Sequence, residues 1–462
     1  MQEWKISKML GSAKKNKYEY MTQTPVPKLI TMLAIPTIIS MLVTGLYNSA
    51  DTYFVGQIPV NATRATAAVG IVFPLMSIIQ AVGFLFGHGS GNYLSRMLGA
   101  DKKEEASKMA STGFMLAMIT GIVFAVLGNI FINELIRFFA TGEVSAETYA
   151  MTADYGRIIL IGAPFMMCQF VINNQLRFQG SAVYAMIGLV SGAIINIFLD
   201  PLMILTLGMG IKGAAIATVS GQITSFFILL IGSRRGENIR LRLKDVHING
   251  HFIKEIINGG IPSLFRQGLA ALAAILMNRA AGSCGGEAAI AGMSIVTRVM
   301  LLLSSALIGF GQGFQPVCSF NYGAGLKSRV REGFWFCVKW GTVFLTIIAV
   351  ACFIYAPEII AFFRNDEDVV AVGRVALRFQ SIVFPLNALI VMTNMMLQSI
   401  GKGVKASITA SARNGIFFIP LILLLPAWLG LKGVEMTQSV ADLLTLFITI
   451  PFAVSELTKM RE

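Results

Sequence analysis

Three acids sit inside otherwise apolar stretches of the chain: Asp51, Asp200 and Asp442. An unpaired charge at the centre of a bilayer costs about 3 kcal/mol or more, so an acid kept at such a place is a candidate for chemistry. Asp51 follows the basic Lys28, and Asp200 follows Gly180, each by most of a membrane-spanning helix. At a helical rise of about 1.5 Å per residue, both reach the far half of their helices. Thr218, less than two helical turns after Lys212, reaches the same level from the opposite direction. Asn196 precedes Asp200 by one helical turn and shares its helix face. Two carboxylates, an amide oxygen and a hydroxyl at one depth can hold a proton or a sodium ion. A buried carboxylate with a raised pKa suits H⁺, and hard oxygen ligands suit Na⁺. The competing reading is that these groups make helix-packing hydrogen bonds. Asp442 reads differently. Arg413 in the preceding apolar stretch and Arg298 further upstream fall at comparable depth, and an ion pair of Asp442 with one of them is expected as a structural element.

These residues need a membrane around them. Charged residues are only 13% of the 462 and hydrophobic ones 55%, with a mean hydropathy of +0.70. A soluble chain carries about 25% charged residues. Ten long stretches lack any charge: 29–50, 65–95, 109–133, 158–176, 178–199, 213–233, 299–326, 340–357, 379–401 and 414–431. Two more, 256–278 and 436–455, carry one charge each, Arg266 and Asp442. About 20 apolar residues cross a bilayer as a helix. The fold class is therefore an all-α polytopic membrane protein with twelve transmembrane helices. Of the 37 Lys and Arg residues, 24 fall on the side of the termini and 7 on the other. This bias predicts that both termini are cytoplasmic. It also accounts for the net charge of +13 without a nucleic-acid partner.

The longest hydrophilic stretch between spans, 233–255, falls at the midpoint, and the halves on either side are alike. FGHGSGNYLSRMLGADKK at 86–103 and FGQGFQPVCSFNYGAGLK at 310–327 agree at 7 of 18 positions. Pro164 pairs with Pro385, and Asn173 with Asn394, at a common offset of 221. The division is a tail at 1–27, a first six-helix lobe at 28–233, a linker at 234–253, a second lobe at 254–456 and a tail at 457–462. An even number of helices per copy makes the repeats parallel, and two such bundles rocking against each other give alternating access. Proline breaks a helical hydrogen bond, and Pro36, in the helix that carries Asp51, is the candidate hinge.

Other patterns carry less. GMGIKG at 208–213 matches a dinucleotide fingerprint but lies between two membrane helices with no strand before it. HINGH at 247–251 spaces two histidines four apart across a glycine, without the glutamate of a zinc protease helix. The five cysteines form no CxxC, and no phosphate-binding loop with lysine occurs. A membrane-embedded transferase would need a DDxxD-type cluster; NDED at 365–368 is the nearest approach and lies on the outer side.

The stretches IPTIISMLVTGLYNSADTYFVG, LRFQGSAVYAMIGLVSGAIINIFLDPLMI and RNGIFFIPLILLLPAWLGLKGVEMTQSVAD resemble the multidrug and toxic compound extrusion (MATE) family, over residues of about 25 to 455. The resemblance implies two pseudo-symmetric six-helix lobes in a bacterial plasma membrane. It implies a secondary active antiporter rather than an enzyme, exporting amphipathic and often cationic compounds in exchange for H⁺ or Na⁺, with no other cofactor. Carried over by motif, Asp51, Asn196, Asp200 and Thr218 form the cation-coupling site, which is also the place for Na⁺. Tyr47, Asn173 and Asn174 are expected to line the substrate path. Some members carry a glutamate about two turns after the proline of the seventh helix. Here that residue is Ala270, and the second lobe instead carries Arg266, Arg298 and Arg413. Coupling is thus expected in the first lobe. The partners expected are small amphipathic molecules and the lipid bilayer, with the protein a monomer. A flippase for lipids or lipid-linked sugars, from a related two-lobed group, is the nearest alternative.

Overall fold

Long apolar runs leave their backbone polar groups no partner in lipid except one another, and the helix supplies it within one segment. A computed structural model describes residues 17–58, 61–140 and 144–461, and of 46–52 the backbone alone. The side chains of Tyr47 and Asp51 therefore lie outside the described residues. Among those residues there is no strand. Among the described residues eleven helices are long and apolar enough to cross a membrane, and the longest, Gly250–Gly323, divides at Gly286, whose φ of 62° and ψ of −152° are not helical. Twelve spans result. In order they are α1 (Val26–Val55), α2 (Ala62–Gly99), α3 (Lys103–Ile130), α4 (Ala146–Phe178), α5 (Ala182–Thr206) and α6 (Gly210–Ser233). The second half follows with α7 (250–285), α8 (287–323), α9 (Lys327–Ile354), α10 (Glu367–Ser399), α11 (Gly403–Leu429) and α12 (Leu431–Thr458). Large side chains stand exposed around the bundle, among them Phe138, Phe198, Phe362, Trp428 and Phe447. That surface is suited to lipid and not to water.

Three boundaries differ from the sequence expectation. The linker is shorter, since α7 begins at Gly250, where Asn249 caps it by accepting from Phe252 N at 2.8 Å. The eighth span begins at position 287, well before Arg298, because in an uncharged-run reading a charge inside a helix stands as its end. The tail at 1–27 holds a helix, Lys17–Gln23, and the start of α1.

The internal repeat is visible in individual bonds. Asn173 Nδ2 donates to Ala185 O at 2.9 Å, and Asn394 Nδ2 to Ala406 O at 2.6 Å. All four turns joining α2–α3, α4–α5, α8–α9 and α10–α11 close alike. Lys102 N donates to Met97 O at 2.8 Å, Ser181 N to Leu176 O at 2.9 Å, Leu326 N to Asn321 O at 2.8 Å, and Lys402 N to Leu397 O at 2.8 Å. Each follows a residue of positive φ: Asp101, Gly180, Gly325 and Gly401. This is the Schellman closure of a helix end. Helices α5 and α11 both carry a π-turn, at Leu202–Thr206 and Ala412–Ile416.

Candidate functional site

In the first lobe, α5 and α6 approach so closely that a Cβ at Gly192 would sit 2.6 Å from Gly221 O. The small residues allow two polar helix faces to meet. Asn196 and Asp200 are buried on α5, and Thr218 is buried on α6. Asn196 Nδ2 donates to Asp200 Oδ1 at 3.3 Å, while the amide oxygen of Asn196 has no partner. Pro201 and the π-turn follow Asp200 directly, so its carboxylate sits where the regular helix ends. One turn beyond Thr218, Gln222 Oε1 is buried without a partner, as is Ser225 Oγ. The sequence reading missed both, since a single glutamine or serine in an apolar run carries little signal. The structure brings Asn196 and Asp200 together, and Asp51 belongs to a helix whose side chains there are not described.

The second lobe holds a different acid. Asp442 on α12 accepts from Arg413 Nε at 2.8 Å and Nη2 at 3.2 Å. It also accepts from Gln438 Nε2 at 2.8 Å and Asn387 Nδ2 at 3.1 Å. Four donors on one buried carboxylate make a structural ion pair. Arg298 takes no part in it and stands exposed on α8.

The lobes meet at the end that carries the linker. Gly313 packs against Ala34, Gly89 against Ile256, Gly260 against Leu85, and Gly99 and Gly323 against Phe320 and Arg96, in each case with no room for a Cβ. A Cβ at Gly309 would sit 2.7 Å from Ile38 Cα. Further along the same pair of helices, a Cβ at Gly45 would meet Leu302 Cδ1 at 4.0 Å, an ordinary contact. Helices α1 and α8 are thus packed less tightly away from the linker end. Arg96 on α2 pairs with Glu255 on α7 at 2.7 Å, across the lobes. Pro36 is buried in an unbroken α1, at the level of the Ala34 and Ile38 contacts but on the opposite face of the helix. The helix Lys17–Gln23 straps both lobes. Lys17 Nζ donates to Asn238 Oδ1 at 2.6 Å and Ser181 Oγ at 3.2 Å, while Asn321 and Arg329 donate to Met21 O and Thr24 O.

Asn173 and Asn174 part company. Asn173 is engaged in the bond to Ala185 O that ties α4 to α5. Asn174 turns to the lobe boundary, where its Oδ1 accepts from Arg177, whose other nitrogen donates to Gln312 Oε1 of α8.

A family profile described as MatE matches residues 36–202 and 262–424, once in each lobe. The chain belongs to the MatE family. The multidrug export protein MepA of Staphylococcus haemolyticus is 26% identical to it, over 93% of this chain and 94% of that one. Among solved structures, an outward-facing multidrug resistance MATE transporter of the MOP superfamily superposes with a TM-score of 0.88, at 26% identity, over 97% of this chain and 99% of that one. A MOP superfamily transporter from Pyrococcus furiosus, described as having a binding pocket of reverse polarity that suggests a different function, matches equally well. Both MatE matches begin at a buried proline near the lobe contact, Pro36 and Pro262. Of the two histidines of HINGH, His251 Nε2 meets the Tyr93 hydroxyl at 3.1 Å and His247 Nδ1 lies 3.1 Å from Asp245 O; both line one cleft, and among the described residues no three His, Cys, Asp or Glu side chains are grouped to hold a metal ion.

Proposed function

We propose that the protein exports amphipathic organic compounds across a bacterial plasma membrane, in exchange for H⁺ or Na⁺, by alternating access of its two lobes. The observation that carries the reading is the asymmetry of the lobe contact: glycine-tight and bridged by Arg96–Glu255 at the linker end, loosening towards Gly45 and Leu302. With the linker in the cytoplasm, as the 24 to 7 bias of basic residues implies, this arrangement is tight on the inward side and looser on the outward side. Relatives named as multidrug exporters, and a neighbour named as outward-facing, support it.

Asp200 and Asn196, with Thr218 on the facing helix and Asp51 on α1, form the coupling site. Deprotonated Asp200 in a buried lobe interior is costly to enclose, and a proton or Na⁺ removes that cost. Uptake of the cation then favours the state in which the outer half closes, after the substrate has left. One positive charge entering down about 100 mV supplies about 2.3 kcal/mol, enough for a roughly fifty-fold gradient of a neutral substrate. Everted vesicles with separately imposed sodium and proton gradients test the reading. Dye accumulation under one gradient and none without it is expected; accumulation driven by ATP alone would overturn it.

A further inference from the structure

The helix Lys17–Gln23 is held to the two lobes by different means. Towards the second lobe it is held by apolar burial. Met21 is fully buried, and with Val26 and Ile30 of the first turns of α1 it joins the core cluster that contains Phe314 of α8 and Phe334 of α9. A Cβ at Gly333 on α9 would sit 3.1 Å from Ile30 Cδ1 and 3.2 Å from Val26 Cγ1. The Tyr18 ring lies 5.7 Å from that of Phe320. Carbonyls at the end of the short helix are answered from the same side. Asn321 Nδ2 donates to Met21 O at 3.2 Å and Arg329 Nη2 to Thr24 O at 2.6 Å, while Arg329 Nε braces Asn321 Oδ1 at 2.9 Å. Towards the first lobe the hold is polar and rests on one residue. Lys17 Nζ donates to Asn238 Oδ1 at 2.6 Å and to Ser181 Oγ at 3.2 Å, and Lys17 N to Glu237 Oε2 at 3.0 Å. These partners belong to the first lobe. Ser181 lies in the α4–α5 turn, and the start of the linker is pinned to α3 and α4: Ile239 N donates to Gln179 Oε1 at 2.6 Å and Arg242 N to Ser111 Oγ at 3.1 Å. Met21 fills the space between the two seats, since a Cβ at Gly180 in the α4–α5 turn would meet its sulfur at 2.9 Å.

We infer that Lys17–Gln23 is a latch across the linker side of the two lobes. It stays with the second lobe, and its clasp on the first, Lys17 on Ser181 and Asn238, opens each time the lobes part on that side. Parting of the lobes carries Gly180, Ser181 and Asn238 away from Asn321 and Arg329, and one short helix cannot follow both. The clasp is the weaker seat. An ammonium and an amide that separate are both taken up by water, so little is lost, whereas Met21, Val26 and Ile30 find no such replacement for the apolar surroundings they would leave. The latch therefore favours the arrangement that is tight on the linker side, and release of the clasp governs access from that side. The inference rests on the alternating-access reading for its role in transport, while its structural arm does not.

Two cysteine pairs in the full chain, reconstituted in vesicles and joined by a short reducible cross-linker, test it by ethidium counterflow. Lys17→Cys/Asn238→Cys fixes the clasp, and joining it is expected to abolish counterflow. Reduction of the cross-link should restore counterflow in the same sample, which establishes that the variant folds. Thr24→Cys/Arg329→Cys fixes the strap to the second lobe, and joining it should leave counterflow within about twofold of the uncross-linked variant. The unaltered chain treated with the same reagent controls for its five cysteines. Counterflow that persists with the clasp joined, or that is lost with the second pair joined, would overturn the inference. The structural arm uses distances between spin labels on non-cysteine side chains at positions 102 and 327. Ser181→Ala/Asn238→Ala removes two acceptors of Lys17 and should raise the population at longer distances roughly threefold or more. An unchanged distribution would overturn the latch whether or not the protein transports. Absence of counterflow in the unaltered chain, with the distances lengthened as expected, would keep the latch and end the transport reading.

Discussion

Asp442 and Arg413 show how far a single residue can be read. Depth counting along two adjacent helices brings the acid and the guanidinium to one level, and they bond at 2.8 Å. The same counting offers Arg298, which the structure leaves outside the pair, because depth fixes height and not the direction a helix face points. Removing one partner of a buried pair leaves the other uncompensated and costs about 3–5 kcal/mol, while replacing both with apolar groups of similar size is often neutral. Arg413→Ala should therefore lower the thermal midpoint sharply, and Arg413→Met/Asp442→Leu should recover most of it. A double variant as unstable as the single one would count against a structural pair. Arg177 was illegible for a simpler reason. It ends α4, where a basic residue reads as a loop charge, yet it is buried and reaches Gln312 of α8.

At the scale of elements, apolar runs located every span, but a charge within a helix truncated α7 and α8, and the π-turns of α5 and α11 left no mark in composition. The tight lobe contact was equally hidden, since Gly89 or Gly260 reads as an ordinary glycine until Ile256 or Leu85 is seen against it. A side chain there must push the linker end open. Gly260→Val is expected to lengthen the distance between spin labels on the linker-side ends of α2 and α7 and to reduce export at least tenfold; an unchanged distance distribution would contradict this. The strap Lys17–Gln23 makes a second prediction. Burial pushes the Lys17 ammonium down to about 7 from 10.5, against the pull of Glu237. The undocked strap then binds more protons than the docked one, so docking strengthens as pH rises from about 7 to 10.5 and carries its full penalty below 7. Limited proteolysis of the strap should slow as pH is raised across this window, after correction for protease activity, and Lys17→Met should remove the dependence. A slope that survives the substitution would place the titrating group elsewhere.

For the whole molecule, the repeat was the most legible feature. The offset of 221 between Asn173 and Asn394 reappears as the same hydrogen bond in each lobe, because both copies must tie the same two helices together. The mutual arrangement of the lobes was not legible, since it depends on which of two closures a symmetric pair of bundles adopts. Orientation follows from charge alone and is directly testable. In intact cells a cysteine at Asn61 should react with a membrane-impermeant thiol reagent, and one at Asn249 should react only after permeabilisation; the reverse pattern would invert the transporter in the membrane. The central claim is that the acids of the first lobe couple ion entry to export. The most direct test is gradient-driven uptake set against substrate counterflow in everted vesicles, for the unaltered chain and for Asp200→Asn, Asp51→Asn and the double variant. Uphill uptake should vanish in all three variants while counterflow, which needs only the rocking of the lobes, persists at a comparable rate. Near-normal uphill uptake in the double variant would show that the ion couples elsewhere and would contradict the account.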